Sequence, residues 1–169
     1  MAADAAAAEV ESVVIMTSGI SSTAEERREM AQREKRDVAE LLLPQRVEDL
    51  RNLFQRCMHR PPWMPSFILR DFIEVMFKDY RKERAELLQE VLSNGVGWDT
   101  LPLLKQETLI LWGDKDSIFP LSLAYGLQRH LGDKARLQVI KEAGHALPLE
   151  KPHDVNQMIK RFLLQQNVM

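Results

Sequence analysis

The stretch TLILWGDKD, residues Thr108–Asp116, decides the fold of this chain. Its first five residues are almost continuously apolar and a glycine ends the run, which is the pattern of a strand buried on both faces of a parallel sheet. Asp116 then lies in the loop that leaves the strand. Pro120 opens a helical pattern that runs to about His130, and Gly132 follows as its stop signal. The order of strand, acidic loop and helix predicts an α/β protein.

A second strand and loop repeat this arrangement. Residues 136–140 have the pattern of an outer strand, Ala143 and Gly144 turn the chain, and His145 lies on the following loop. After it comes a helical pattern whose apolar positions are predicted to pack on the sheet: Val155, Met158, Ile159, Phe162 and Leu163.

The two polar loops have a structural and a catalytic interpretation. Asp114 and Asp116 alone suit an ordinary turn, and a single histidine is more often structural than catalytic. In open α/β sheets, however, chemistry is placed on the loops at the carboxyl ends of strands. Because both loops follow successive strands, with the acid before the base, we expect Asp116 and His145 to act together.

These residues resemble a known family. The segments Ile110–Asp116 and Gly144–Pro152 are similar to the last two catalytic loops of α/β-hydrolase-fold enzymes. The run Arg60–Phe67 resembles the lid of esterase-like or lipase-like members of that family, many of them from plants. That family orders its triad as serine, then Asp or Glu, then His. The resemblance implies that Asp116 is the catalytic acid and His145 the catalytic base, whereas Asp114 matches a variable position.

The nucleophile is missing from this picture. An imidazole activates a serine hydroxyl, and the family carries that serine in a Gly-x-Ser-x-Gly elbow after a strand. The nearest match is Gly19–Thr23, which lacks the final glycine and precedes a segment charged on almost every face. Thr23 and Glu26 have the spacing of a capping box, which explains this polar cluster without catalysis. We therefore reject Ser21 as the nucleophile.

The N-terminal region fits the family's layout in another way. Residues 12–19 resemble the strand that leads into the inserted lid, and Met1–Ala8 then resembles the end of the nucleophile's helix. The resemblance implies that the chain begins just downstream of the missing serine. The expected fold is a C-terminal remnant of an α/β-hydrolase fold, with three parallel strands, flanking helices and a large inserted helical lid.

The resemblance also divides the chain. Residues 1–20 are expected to hold the helix tail and the first strand, residues 21–98 the lid, and residues 99–169 the core with the two loops. Helical periodicity in the lid covers residues 23–35, 37–43, 47–59, 66–77 and 81–92. Apolar side chains there could line an acyl site, but we expect most of them to hold the lid together: Phe67, Phe72, Val75 and Met76.

Composition excludes several other classes of protein. The chain has 169 residues, 45% hydrophobic and 28% charged, with a formal net charge of -2, so no nucleic-acid partner is expected. No apolar run approaches the length of a membrane span. The sequence shows no metal-ligand spacing or cofactor fingerprint, so neither a metal nor a cofactor is predicted. Cys57 is the single cysteine, lies on an apolar stripe, and fits a core thiol in a cytoplasmic protein.

Three functions remain open from the sequence. The chain is part of a serine hydrolase for carboxylic or lipid esters, part of an epoxide hydrolase with an aspartate nucleophile, or a non-catalytic protein that binds through the lid. The substrate in the first case is a small ester-like molecule. Without its usual neighbour, the first strand would expose an apolar edge, and we predict self-association through that edge. Because the nucleophile is lacking, we also predict that the chain is inactive alone.

Overall fold

The computed structural model describes residues 10–19, 41–93 and 100–166. Within these ranges, three strands form one parallel sheet in the order β1 (Ser12–Met16), β2 (Glu107–Gly113) and β3 (Ala135–Ile140). In the register of the sheet, Val14 lies opposite Leu109, which in turn lies opposite Arg136. The predicted α/β class with three parallel strands is confirmed.

The central strand β2 is buried on both faces, as its apolar run predicts. On one face a core cluster joins β2 and β3 to the C-terminal helix, and its buried members include Leu109, Leu111, Ile140, Val155 and Phe162. The other face packs on the helix after β2 through Ile110, Trp112, Leu123, Ala124 and Leu127. Removing a large apolar side chain from either cluster would cost about 2 to 5 kcal/mol.

Six helices surround or interrupt the sheet in the described residues. They are α1 (Val47–Cys57), α2 (Ser66–Phe77), α3 (Arg81–Ser93), α4 (Leu121–Leu131), α5 (Leu147–Glu150) and α6 (Pro152–Gln166). Helix α4 begins after Pro120 and ends at Gly132, whose φ of 71° favours glycine. Both predicted boundary signals of this helix are therefore confirmed.

Helices α1 to α3 lie between β1 and β2 in the chain, and we call residues 47–93 the helical insertion. Its core consists of Leu50, Leu53 and Leu69, with Phe54 and Cys57 packed against them. Cys57 therefore lies on the apolar stripe predicted for a core thiol.

Two predictions about the insertion are corrected. Helix α1 ends at Cys57, not at His59, because Met58 is extended and Ala146 of the histidine loop donates its N–H to the carbonyl of Cys57. The apolar side chains of α2 are mostly exposed instead of holding the insertion together, and Val75 is 76% exposed. Phe72 alone among the four predicted residues makes a ring contact, 5.7 Å from Phe54 between centroids.

The remaining predictions about the fold concern the C-terminal helix and the N-terminal segments. Helix α6 packs on the sheet as expected, but Leu163 faces solvent, because α6 presents its buried face through Val155 and Phe162. The segments predicted for residues 1–8 and 23–35, and the elbow-like serine at position 21, lie outside the described residues. No helix in the described ranges is long and apolar enough to cross a bilayer.

Candidate active site

The loops after β2 and β3 lie against each other at the carboxyl edge of the sheet. Asp114 N–H donates to the carbonyl of Ile140 at 3.0 Å, and Lys115 N–H donates to the carbonyl of Ala143 at 2.9 Å. The approach is so close that a Cβ on Gly113 would lie 2.3 Å from the carbonyl oxygens of Ala143 and Gly144. Glycine at position 113 thus allows the acid loop and the histidine loop to meet.

Asp116 is buried and fully bonded. Its side chain has 0% exposure. Oδ1 accepts the backbone N–H groups of Ile118 at 2.8 Å and Phe119 at 2.9 Å. Oδ2 lies 3.1 Å from Nδ1 of His145. Hydrogen bonds to a carboxylate are among the strong ones, so these three donors hold the side chain of Asp116 in one position.

The imidazole of His145 is oriented from two sides. Since a carboxylate only accepts hydrogen bonds, Nδ1 carries the proton given to Asp116, and Nε2 is left as the basic nitrogen. The ring of Phe119 contacts the imidazole edge to face, with centroids 5.2 Å apart and an interplanar angle of 72°. The imidazole is 27% exposed, so it remains accessible from one side.

Phe119 is itself fixed by both sides of the sheet edge. Its carbonyl accepts the indole N–H of Trp112 at 3.0 Å. A Cβ on Gly19, after β1, would lie 2.5 Å from the phenyl ring. Gly19, Trp112 and Phe119 thus come together from three segments of the chain. A side chain at position 19 would have to displace the ring of Phe119.

The end of β1 holds the backbone of the histidine loop. Thr17 is buried and its Oγ1 donates to the carbonyl of His145 at 3.1 Å. Its φ is 39°, which is unusual for a β-branched residue and marks local strain. The strain is tolerated because Thr17 N–H still pairs with Leu111 of β2 at 3.1 Å.

The helical insertion contacts both loops through the end of α1. Ser117 Oγ, directly after Asp116, donates to the carbonyl of Arg56 at 2.7 Å. Ala146 N–H, directly after His145, donates to the carbonyl of Cys57 at 2.8 Å. Burial and, second, the nearby charge of Asp116 raise the pKa of the Cys57 thiol, while Arg56 lowers it. The thiol is thus held neutral beside the acid.

The remaining candidates lie elsewhere. Asp114 faces Lys115 at 3.8 Å, so the structure separates the two aspartates of the turn and brings only Asp116 to the histidine. His130 Nε2 contacts the carbonyl of Leu101, and His153 contacts Gln157 on the surface of α6. The described residues hold no group of three or more His, Cys, Asp or Glu side chains that could bind a metal ion.

Sequence reasoning missed three residues of this site. Thr17 stands at the carboxyl end of a parallel strand, and that position is a signal that could have marked it. Glu150 lies inside the segment that carries the family resemblance, and its carboxylate accepts the N–H of Gly144 at 2.6 Å. Phe119 has no sequence signal, because its contact with His145 depends on how the acid loop folds back.

Comparisons with known proteins find relatives that match part of the chain. The chain is 33% identical to a 2-hydroxy-6-oxo-6-phenylhexa-2,4-dienoate hydrolase of Comamonas testosteroni, over 60% of this chain and 43% of the relative. It is 34% identical to the dihydrolipoyllysine-residue acetyltransferase component of the acetoin cleaving system of Pseudomonas putida, over 59% of this chain and 27% of the relative. No protein-family profile matches the chain.

A solved structure extends the likeness to most of the chain. The 2-hydroxy-6-oxo-6-phenylhexa-2,4-dienoate hydrolase of Rhodococcus sp. strain RHA1 aligns with a TM-score of 0.72 at 22% identity, covering 94% of this chain and 57% of that one. A parallel sheet that brings an acid and a histidine together on adjacent loops has the architecture of a hydrolase of the α/β type. The chain has the α/β-hydrolase fold, and it spans less than half the length of the two curated relatives named above.

Proposed function

We propose that this chain supplies the acid and the base of a serine-hydrolase triad that cleaves carboxylic esters or lipid esters. The observation that carries the proposal is the 3.1 Å contact between Asp116 Oδ2 and His145 Nδ1 at the carboxyl edge of the sheet. The burial of the carboxylate and its two backbone donors support the role of an acid that stays charged and fixed in place.

The chemistry follows from the two ring nitrogens. Asp116 holds the tautomer in which Nε2 of His145 is basic, so Nε2 takes the proton of a serine hydroxyl as that oxygen attacks the ester carbonyl. The imidazolium that forms then gives this proton to the leaving alcohol. During both steps the carboxylate stabilises the positive ring, and the ring contact with Phe119 keeps its plane in position.

The third member of the triad, the serine nucleophile, is not identified in this sequence. The 169-residue sequence contains no Gly-x-Ser-x-Gly elbow. The proposal assigns no residue of this sequence as the nucleophile, since Gly19–Thr23 lacks the final glycine of the elbow. An aspartate in the elbow position would make the protein an epoxide hydrolase instead.

We propose further that residues 21–98 act as a lid over the substrate site. The end of α1 contacts both loops of the pair, through the carbonyls of Arg56 and Cys57. Exposed apolar side chains on the described part of the insertion, including Trp63, Phe67 and Val75, supply apolar surface that an acyl chain could contact.

Two further proposals concern the whole protein. We place it in the cytoplasm, which a single cysteine supports, since no internal disulfide can form. We also propose self-association through β1, which pairs with β2 on one side and is the edge strand of the described sheet. Unpaired backbone groups on an edge strand are a template for pairing with a second chain.

The test compares the 169-residue chain with a version extended through the reading frame upstream of Met1. Hydrolysis of p-nitrophenyl butyrate is measured for both, for H145A and D116N, and for H153A as a control that removes a surface histidine. We expect activity that is lost in H145A and retained in H153A. Equal activity in H145A and the unmodified protein, or no activity in either version, would overturn the proposal. If activity is found, the identity of the elbow residue distinguishes the two reactions: a serine indicates ester hydrolysis and an aspartate indicates epoxide hydrolysis.

A further inference from the structure

One carboxylate ties the histidine loop to the helical insertion. Glu150, in the short helix α5, uses its two oxygens for two different parts of the chain. Oε2 accepts the N–H of Gly144 at 2.6 Å, directly before His145. Oε1 accepts the N–H of Arg60 at 3.0 Å, in the turn that follows α1. The same side chain therefore bridges the base and the insertion.

The rest of the loop backbone is held in the same manner. The carbonyl of His145 accepts from Thr17, and the N–H of Ala146 donates to the carbonyl of Cys57. Three successive residues of the loop are thus bonded to three different parts of the chain. Two of these links involve the insertion, one directly through Cys57 and one through Glu150 and Arg60.

The atoms packed around Gly144 leave no room for a side chain at this position. A Cβ there would lie 2.8 Å from the carbonyl oxygen of Cys57 and 2.9 Å from Oε2 of Glu150. At position 144 the loop has no side chain with which to fill a gap if the insertion moved away. The hydrogen bond from Gly144 N–H to Glu150 is therefore one of the bonds that hold the loop in place.

We propose that Glu150 is a positioning residue that makes the placement of His145 against Asp116 depend on docking of the helical insertion. A carboxylate suits this role because both oxygens accept and neither donates, so it satisfies two N–H groups at once. A glutamine has the same shape but turns an NH2 donor toward one of the two N–H groups. The proposal rests on the proposed function only for the role of His145 as a base.

Glu142 provides a matched control. It lies three residues before His145, and its carboxylate contacts the guanidinium of the same Arg60 at 3.1 Å. That ion pair is exposed on both sides, at 72% for Arg60 and 56% for Glu142. Replacing Glu142 removes the same charge near the same loop and leaves the bonds of Gly144 and Arg60 N–H intact.

The experiment uses NMR on the full 169-residue chain labelled with ¹⁵N. Two quantities are measured: the Nδ1–H signal of His145, and the hydrogen-exchange rates of the Gly144 and Arg60 amides. In E150Q we expect the His145 signal to broaden or vanish, and the amide that faces the glutamine NH2 group to exchange at least about tenfold faster, because that amide loses a hydrogen bond to a charged group. In E142Q we expect neither change. Unchanged values in a folded E150Q would overturn the proposal.

A second variant covers the case in which E150Q does not fold. R60P deletes the N–H that Oε1 accepts and leaves the contact between Glu150 and Gly144 in place. It also removes the guanidinium that contacts Glu142, and E142Q tests the loss of that contact separately. We expect R60P to keep a cooperative thermal transition and to broaden the His145 signal. An intact signal in R60P would mean that the insertion does not position the base. Because these readouts need no ester hydrolysis, they remain informative if the proposed function fails.

Discussion

Thr17 and His145 are 128 residues apart, and the hydroxyl of the first donates to the carbonyl of the second at 3.1 Å. The bond joins the edge strand β1 to the histidine loop across the end of β2. In T17V the shape is kept and the donor is lost, which leaves a partly buried carbonyl unsatisfied. We expect the free energy of unfolding to fall by about 1 to 3 kcal/mol in urea. T17S, which keeps the donor, should lose less, and an equal loss in both variants would show that the methyl group matters instead.

Asp116→Asn is expected to reverse the tautomer of His145. The two backbone N–H groups of Ile118 and Phe119 hold the oxygen of the amide, so its NH2 group faces Nδ1 and donates to it. The ring proton then moves to Nε2, as ¹⁵N NMR of the imidazole would show. In an active form of the protein, kcat should drop on the order of 10⁴-fold, as the wrong tautomer causes in a related triad. Retention of the Nδ1–H signal would contradict this account.

Cys57 should react slowly with thiol reagents. Burial and the charge of Asp116 raise the pKa of the thiol above its ordinary value of 9.0, so less thiolate is present at pH 8. Labelling with a coloured disulfide reagent should be slower than for a free cysteine, and faster in D116N because that charge is removed. Equal rates in D116N and the unmodified chain would exclude an influence of Asp116.

The same shift gives a direction for stability against pH. The folded chain binds the Cys57 proton more tightly than the unfolded chain, so this contribution is present below the ordinary thiol pKa of 9.0 and is lost as pH rises through the raised pKa. Stability from urea unfolding should therefore decline on the alkaline side of pH 9. In C57S this part of the decline should disappear.

Gly144→Ala is expected to displace the histidine loop. Its Cβ would meet the carbonyl of Cys57 and the N–H of His59, each at 2.8 Å, and such crowding costs about 1 to 3 kcal/mol. Gly132→Ala is the comparison, because its cost comes from a φ of 71° with no atom within 4 Å. Both variants should be less stable, but only G144A should disturb the Nδ1–H signal of His145. Disturbance in G132A as well would point to a general loss of structure.

Met16→Lys tests the edge of the sheet. Met16 ends β1 and is 37% exposed, and a lysine on an edge strand opposes pairing with a second chain. We expect the unmodified chain to sediment as a dimer or larger species and M16K to shift toward the monomer. L149K adds a lysine at an exposed apolar residue outside β1 and should leave the association unchanged. A monomer in all three proteins would rule out the edge as an association site.

Much of the fold could be predicted because it depends on residues that are close together in the sequence. The unbroken apolar run of β2 predicts burial on both faces, and Gly132 predicts the end of α4. Asp116 and His145 could be paired because the carboxyl ends of adjacent parallel strands must lie near each other. None of these inferences needs a contact between distant side chains.

The features that sequence reasoning missed depend on distant contacts. Helix α1 ends early because the carbonyl of Cys57 bonds Ala146, and nothing near residue 57 announces that partner. Helix α5 has only four residues, which is too few to show a helical periodicity in the sequence. It also contains Pro148, a residue that usually indicates a turn or a helix end. The apolar stripe of α2 predicts that these side chains pack inside the insertion, but they are mostly exposed. An apolar stripe alone does not show which part of the chain, if any, covers it.

The distant bonds of the histidine loop have a consequence for how the protein folds. Thr17 and Cys57 reach the loop only after the chain between them has closed into large loops, and contacts of such sequence separation are slow to form. The sheet register of β2 and β3 and the helices can form from nearer neighbours. The imidazole therefore reaches its final place late in folding, and its Nδ1–H signal should recover after the helical circular dichroism during refolding.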